Sequence, residues 1–140
     1  MYTGYQLTNK SRNDLLNKYP PKNPTFLGHH ITVQFGVKGD HPPPEMPDEV
    51  KVIGYLEADG IEGFLVSVDG NIHRPTGGKF HITWSLDKDK GRKPVDTNKI
   101  VDNPTPIDHI VLEVIPKTFT KSTEKSLKEH TFLDFLQQRS

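Results

Sequence analysis

Cysteine is absent from this chain of 140 residues. Its absence excludes a disulfide framework, a thiolate nucleophile and a zinc site built on cysteine. Long apolar runs are absent too, since none approaches the roughly 20 residues of a membrane span and the N-terminus lacks the apolar core of a signal peptide. The sequence therefore predicts a soluble, cytoplasmic protein without a membrane partner.

A net charge is also missing, because 18 basic residues balance 18 acidic ones. Long nucleic acid usually binds a basic face, so we expect no such partner, although a local basic site for one or two phosphates is compatible with this balance. Hydrophobic residues account for only 32% of the chain, and 12 prolines with 11 glycines indicate many turns. We expect a single domain over residues 1–140, with a modest core under long loops.

The most informative pattern is a triplet that occurs twice, as His30-Ile31-Thr32 and as His81-Ile82-Thr83. Its surroundings, HHITVQFGV and FHITWSLD, are rich in β-branched and aromatic residues and alternate between apolar and polar positions, which is typical of β-strands. Side chains on a strand point alternately to opposite faces. Each copy therefore places an imidazole beside a hydroxyl on the face opposite the core.

Strict alternation assigns every residue of the two strands to a face. The core faces are predicted to carry three apolar side chains each, namely Ile31, Val33 and Phe35, and Ile82, Trp84 and Leu86. The opposite faces are predicted to carry the polar residues His30, Thr32 and Gln34, and His81, Thr83 and Ser85. A histidine on a half-exposed strand is often only solvated, so spacing and phase alone support this simple interpretation and a shared functional site about equally.

The other segments predict a small number of further elements. Residues 2–7 form an opening strand, and Ser11 caps a short helix over residues 12–19, with Leu15 and Leu16 facing inward. Prolines make residues 38–49 a surface loop. Residues 50–57 and 61–68 form a hairpin around a turn at Ala58-Asp59-Gly60.

Two elements are predicted in the last third of the chain. Residues 108–116, DHIVLEVIP, form one strand in which Ile110, Leu112 and Val114 share a face. Glu113 interrupts the other face, so its carboxylate must meet water, a charged partner or a ligand. Residues 126–138 form a helix whose rough apolar stripe is able to dock on a sheet.

The two His-x-Thr motifs, on separate strands of a small chain without cysteine, resemble those of the 2H phosphoesterases. In that family the motifs line one cleft between pseudo-symmetric lobes, and the enzymes cleave phosphodiesters without a metal or another cofactor. The longer segments around the motifs, YPPKNP followed by LGHHITVQFG and FHITWSLD, resemble the sequences of the phage anti-CBASS phosphodiesterases. Those enzymes degrade the cyclic oligonucleotide signals of bacterial immunity. The resemblance implies a location in the cytoplasm of the host cell, and we expect a monomer.

We accordingly expect an α+β fold, with an antiparallel sheet in two lobes, a flanking helix at each end of the chain and a central cleft. Four residues are the predicted catalytic set: His30, Thr32, His81 and Thr83. Histidine serves as base or acid near neutral pH, and threonine hydroxyls can donate to phosphoryl oxygens. The sequence does not assign the base, nor does it decide between attack by water and attack by a ribose 2′-hydroxyl. A metal site on the histidines is a remote alternative, because no carboxylate has ligand spacing.

Four further residues are predicted to bind the ligand. Lys79 follows Gly77-Gly78, a combination that can receive a phosphate oxygen, although such a turn is most often ordinary. The resemblance implies the other three, Tyr5, Glu113 and Phe119, and Phe119 departs from a tryptophan in the family pattern. Arg92 and Lys93 lie in a charged segment that reaches a ligand only if it folds over the cleft.

Three functions are compatible with the sequence. The first is a metal-independent phosphodiesterase that degrades cyclic di- and trinucleotides. The second is an RNA 2′,3′-cyclic phosphodiesterase of the same superfamily, which the lack of a long basic face disfavours. The third is a non-catalytic sponge that only binds cyclic nucleotides. Retention of all four motif residues argues against the sponge, because capture needs no acid–base pair.

Overall fold

The computed structural model describes residues 1–38 and 40–120 and contains two antiparallel sheets. The smaller sheet has β1 (Tyr2–Leu7) at its centre, between β3 (His30–Phe35) and β8 (Val114–Phe119). The larger sheet runs in the order β2 (Thr25–Phe26), β6 (His81–Leu86), β5 (Ile61–Val68), β4 (Val50–Ala58) and β7 (Thr105–Val111). Helix α1 spans Asn9–Lys18, and 3₁₀ helices span Lys88–Lys90 and Pro94–Lys99.

This architecture confirms the predicted α+β class with antiparallel sheets. The opening strand, both motif strands and the hairpin of β4 and β5 lie where the sequence predicts them. The hairpin turn is short because Gly60 adopts a positive φ of 80°, a conformation that glycine reaches at little cost. The helix predicted over residues 126–138 lies outside the described residues.

Helix α1 begins three residues earlier than predicted. Its N-cap is Thr8, whose hydroxyl oxygen accepts a hydrogen bond from the backbone N–H of Ser11 at 3.2 Å. Ser11 is instead buried within the helix, and its hydroxyl accepts the backbone N–H of Glu113 at 2.7 Å. Leu15 and Leu16 face the core as predicted, at 0% and 2% exposure.

The single strand predicted over residues 108–116 is wrong, because the chain leaves one sheet and enters the other at this point. Strand β7 ends at Val111 and belongs to the larger sheet, whereas β8 begins at Val114 and belongs to the smaller one. Between them, the backbone N–H of Leu112 donates to Val50 at 2.8 Å and the carbonyl of Glu113 accepts from Thr8 at 3.1 Å. Leu112 is thus held by β4 of the larger sheet, and Glu113 by the residue that follows β1.

A β-bulge in β3 overturns part of the predicted alternation. Val33 is an extra residue in the pairing of β3 with β1, between Thr32 and Gln34. A bulge inverts the facing of the residues that follow it. Gln34 and Phe35 therefore exchange the faces that strict alternation assigns, and Phe35 pairs with Tyr2 and is 58% exposed.

The second motif strand carries a bulge at the corresponding place. Trp84 is the extra residue in the pairing of β6 with β5, directly after Thr83. Ser85 and Leu86 exchange faces in consequence, so the prediction that Ser85 shares the face of His81 is wrong. Ser85 is fully buried, and its hydroxyl donates to the carboxylate of Glu62 at 2.6 Å.

The two strand pairs are also alike in having a glycine opposite the threonine of the triplet. Gly4 of β1 faces the first triplet, and Gly63 of β5 faces the second. A Cβ atom at either glycine would overlap a carbonyl oxygen of the triplet, that of Ile31 or of Ile82. The internal repeat therefore extends from the sequence triplet to its bulge and to the backbone that faces it.

Residues 27–29 join the two sheets. The backbone N–H groups of Leu27 and Gly28 donate to β6, at the carbonyls of Trp84 and Thr83, over 2.9 Å and 3.0 Å. The carbonyl of His29 accepts from β1 at 2.9 Å. Gly28 has a φ of 63°, and a Cβ there would lie 2.6 Å from the ring of Trp84, so only glycine fits.

One cluster of buried side chains draws on both sheets and on α1. Trp84 lies inside it at 0% exposure, with Phe26 and Phe64 packed edge-on against its ring. The predicted core position of Trp84 is confirmed. Within the described part of the chain, no helix has the length and apolar character needed to cross a lipid bilayer.

Candidate active site

A cavity of ≈ 370 Å³ lies where β3 and β6 approach each other. Both histidines and both threonines of the repeat line it: His30, Thr32, His81 and Thr83. The structure thus brings the four predicted catalytic residues to one cavity, although they belong to different sheets. Tyr2, Leu27 and Phe35 supply an apolar wall, and the 3₁₀ helix after β6 closes the cavity with Pro94, Val95 and Asn98.

The imidazole of His81 is oriented by the backbone. Its Nδ1 lies 2.8 Å from the carbonyl oxygen of Lys79. A carbonyl oxygen can only accept, so Nδ1 carries the proton and Nε2 is the nitrogen free to exchange a proton with a ligand. Burial lowers the pKa of His81, and the nearby charge of Arg74 lowers it further, while the hydrogen bond to Lys79 opposes both effects.

The imidazole of His30 is surrounded by rings rather than by hydrogen-bond partners. Its ring centroid lies 4.9 Å from that of Tyr2 and 5.2 Å from that of Phe119. Nδ1 is buried and has no hydrogen-bond partner among the described residues, which leaves Nε2 as the nitrogen available to the cavity. Burial, followed by repulsion from His81, lowers the pKa of His30 to about 4.

The two threonines differ in their hydrogen bonds. The hydroxyl of Thr83 lies 2.8 Å from that of the buried Thr97 and donates to the carbonyl of Pro94 over a longer 3.3 Å. Thr32 has no side-chain hydrogen bond within residues 1–38 and 40–120. Thr32 is therefore ready to donate to an anion, whereas Thr83 must first release Pro94 or Thr97.

The charge of the lining suits an anionic ligand. No carboxylate lines the cavity among the described residues, whereas Lys93 and the two motif histidines do. The charged segment that contains Lys93 therefore folds against the cavity, but Arg92 turns away and donates from Nε to the carbonyl of Asp59 at 2.8 Å. A carboxylate in this lining would repel a phosphate, and the described wall places no such negative charge against an anion.

Tyr5 and Phe119 do not line the cavity. Tyr5 is 6% exposed in the hydrophobic core, and Tyr2, three residues earlier in β1, is the tyrosine that lines the cavity. Phe119 is fully buried behind that residue, with the two rings stacked at 4.8 Å and 17°. Phe119 therefore supports Tyr2 and His30 from behind.

Lys79 and Glu113 also lie away from the cavity lining. The amine of Lys79 pairs with Asp102 at 2.7 Å, so its contribution to the site is the carbonyl that accepts from His81. Glu113 is exposed beside the N-terminus of α1, where its carboxylate accepts from the hydroxyl of Thr8 at 3.5 Å. That position suits a carboxylate because the helix N-terminus is electropositive.

His29 also lines the cavity. It is 7% exposed and precedes β3 in the segment that joins the sheets. Within the described ranges, no group of three or more histidine or acidic side chains is arranged to hold a metal ion. The polar groups in the lining of the cavity thus include imidazoles, hydroxyls and an ammonium group.

Sequence reasoning missed Tyr2 and placed Phe35 on the wrong face. Both line the cavity because the bulge at Val33 brings Phe35 into register with Tyr2. A bulge has no simple sequence signal, and the repeat of β-branched residues hides it. The available hint is the pair Gly4 and Gly63, since a glycine inside a strand often marks a bulge or a close backbone approach.

Comparisons with protein-family models, with curated proteins and with solved structures find no match for this chain.

Tyr5→Ala is expected to lower the free energy of unfolding by about 2–3 kcal/mol, because it removes a buried ring from the core. Tyr5→Phe is the matched control and should melt close to wild type, since it keeps the ring. Chemical denaturation followed by circular dichroism measures both. If Tyr5→Ala instead unfolded normally but bound cyclic dinucleotide more weakly, Tyr5 would be a ligand contact.

Proposed function

We propose that this chain is a metal-independent phosphodiesterase that cleaves cyclic di- and trinucleotides, with His30 and His81 as the acid–base pair. The observation that carries the proposal is the cavity itself, where both imidazoles and both threonine hydroxyls meet without a lining carboxylate in the described residues. Cleavage of a phosphodiester requires a base, an acid and donors to the phosphoryl oxygens. This set of side chains supplies all three.

The roles follow from the surroundings of each imidazole. When the two imidazoles together carry one positive charge, that charge resides on His81, because the carbonyl of Lys79 accepts from Nδ1 and stabilises the imidazolium. His30 stays neutral, since its ring lies among aromatic rings and its pKa is lowered to about 4. We therefore assign His30 as the base and His81 as the acid.

Two proton transfers accompany the exchange of one P–O bond for another. Nε2 of His30 takes the proton of the attacking oxygen, which is a ribose 2′-hydroxyl beside the scissile phosphate or a water molecule. The new P–O bond forms while the P–O bond to the leaving oxygen breaks, and His81 gives its proton to that oxygen. Thr32 can donate to a non-bridging oxygen without first giving up another hydrogen bond. Lys93 lies in the same wall and balances the negative charge of the phosphoryl group.

The proposed substrate class is supported by the size and chemistry of the cavity together with the resemblance of the motifs. Ligand pockets for small molecules begin at about 300 Å³, so ≈ 370 Å³ suits about one nucleotide unit. Tyr2 and Phe35 offer ring faces to a base, and such stacking is worth about 1–3 kcal/mol per base. The rest of a cyclic oligonucleotide would extend beyond the cavity.

Incubation with cyclic di- and trinucleotides in EDTA, with mass analysis of the products, tests the proposal. We expect linear products that end in a 2′,3′-cyclic phosphate or a terminal phosphate, formed at the same rate with and without the chelator. An RNA oligonucleotide ending in a 2′,3′-cyclic phosphate is the comparison substrate. Turnover of that RNA alone, or activity that returns to a chelated enzyme only with zinc or manganese, would contradict the proposal.

The pH dependence of kcat/KM should be bell-shaped, with its maximum below pH 6.5. The base must be unprotonated, so activity falls as pH drops through the pKa of His30, which is lowered to about 4. The acid must be protonated, so activity also falls as pH rises through the pKa of His81, which burial lowers from its usual value. Steady-state rates between pH 3.5 and 8.5 measure both limbs. A rate that rises from pH 6 to pH 8 would contradict a base with a lowered pKa.

A further inference from the structure

Arg74 lies beside the cavity, in the loop between β5 and β6. Its guanidinium lies 5.5 Å from the centroid of the Phe35 ring, and Phe35 belongs to the other sheet and lines the cavity. The loop holds the side chain in place, because Nε donates to the carbonyl of Gly77 at 2.8 Å. The backbone N–H of Arg74 also donates to Gly78 at 2.9 Å.

The guanidinium of Arg74 has no counter-ion among the described residues. It is half-buried, and its Nη1 atom is buried without a hydrogen-bond partner in that part of the chain. Lys79, five residues later, is also half-buried but pairs with Asp102 at 2.7 Å. A buried cation without an anion is costly. The arrangement therefore suits an anion that arrives with a ligand.

The position of this cation relative to the acid–base pair indicates which anion it would meet. Arg74 is close enough to His81 to lower its pKa, whereas Lys93 precedes Pro94, whose carbonyl accepts from Thr83. The two cations thus flank the second motif at its two ends. Lys93 lines the cavity, whereas Arg74 does not, so a phosphate held in the cavity meets Lys93 and leaves Arg74 to a part of the ligand that extends beyond it.

We propose that Arg74 binds a second phosphate of the substrate, next to the phosphate that is cleaved. This inference rests on the proposed function and adds a second contact within its substrate class, since every cyclic di- or trinucleotide contains at least two phosphodiesters. A guanidinium matches phosphate geometry because two parallel N–H groups can donate to two oxygens. The unpartnered Nη1 supplies one of those donors. A nucleoside 2′,3′-cyclic phosphate has only one phosphate and leaves Arg74 unpaired.

Calorimetric titration with a cyclic dinucleotide tests the inference on a His30→Ala background, which blocks turnover without altering the Arg74 loop. We expect Arg74→Gln to raise Kd by about 10- to 100-fold and to reduce the slope of log Kd against log salt, because one screened charge–charge contact is lost. Arg74→Lys keeps the charge and should fall between wild type and the glutamine variant. Arg92→Gln is the matched control, because that guanidinium bonds a carbonyl outside the cavity, and its Kd should not change.

The outcomes separate this inference from the proposed function. If the cyclic dinucleotide binds equally well to Arg74→Gln, with an unchanged salt slope, the second phosphate site is wrong and the phosphodiesterase proposal stands. If the chain with Arg74 intact fails to bind any cyclic dinucleotide, both proposals fall. A lower affinity with an unchanged salt slope would mean that Arg74 only supports the fold of its loop, and this would also overturn the inference.

Discussion

Replacement of His30 or His81 by alanine is expected to lower single-turnover rates on a cyclic dinucleotide by about 10²–10⁴, because each removes one partner in proton transfer. The protein should remain folded. Both side chains are only half-buried and border the cavity, so alanine enlarges a space that already exists. Rapid-quench kinetics with enzyme in excess measure the chemical step directly, and thermal melts follow the fold.

The two variants should also differ in their pH dependence. His30→Ala should lose the acidic limb of the profile, because the group that must be unprotonated is gone. His81→Ala should lose the alkaline limb for the corresponding reason. His109→Ala is a suitable control, since His109 is exposed on β7 and does not border the cavity. A folded variant of either motif histidine that kept near wild-type rates would exclude the two-histidine mechanism.

Trp84→Ala should lower the free energy of unfolding by about 3–5 kcal/mol, the usual cost of removing a large buried aromatic side chain. Trp84 is fully buried, and Phe26 and Phe64 pack against it with centroids at 4.8 Å and 5.3 Å. Its Nε1 donates to the carbonyl of Tyr19 at 2.8 Å. The substitution therefore leaves a cavity and removes the donor to the Tyr19 carbonyl.

Trp84→Phe provides the matched control, because it keeps an aromatic ring but loses the donor. Its loss of stability should be clearly smaller than that of the alanine variant. Circular dichroism must report unfolding, since Trp84 is the only tryptophan of the chain and each substitution removes the fluorophore. If Trp84→Ala melted normally but no longer bound a cyclic dinucleotide, the indole would belong to the ligand site.

The sequence predicts which segments become strands better than it predicts which way their last residues point. Periodicity identifies both motif strands and the hairpin, because burial of one face imposes alternation. The bulges at Val33 and Trp84 then reverse the facing of Phe35 and Ser85. A bulge depends on the backbone of the neighbouring strand, so alternation within a single strand does not predict it.

The candidate site shows the same division between local and non-local information. His30 and His81 are predictable because each belongs to a repeated local pattern. Arg74 is not, and Lys93 is predicted only on the condition that its segment folds over the cleft, because loop conformation depends on tertiary contacts. Tyr5 illustrates the converse, because a resemblance indicates an aromatic residue near the N-terminus but only the register of β1 distinguishes it from Tyr2.

The central place of β1 in the smaller sheet affects how the protein folds during its synthesis on the ribosome. One neighbour, β3, is synthesised soon after β1, whereas the other, β8, follows only after more than a hundred further peptide bonds. Pairing between such distant segments forms slowly, because a long loop must close first. Tyr2 contacts Phe119 only across that late pairing, and both rings lie against the imidazole of His30. In a nascent chain that already carries both His-x-Thr motifs, Phe119 should therefore not contact Tyr2 and His30 until β8 has left the exit tunnel.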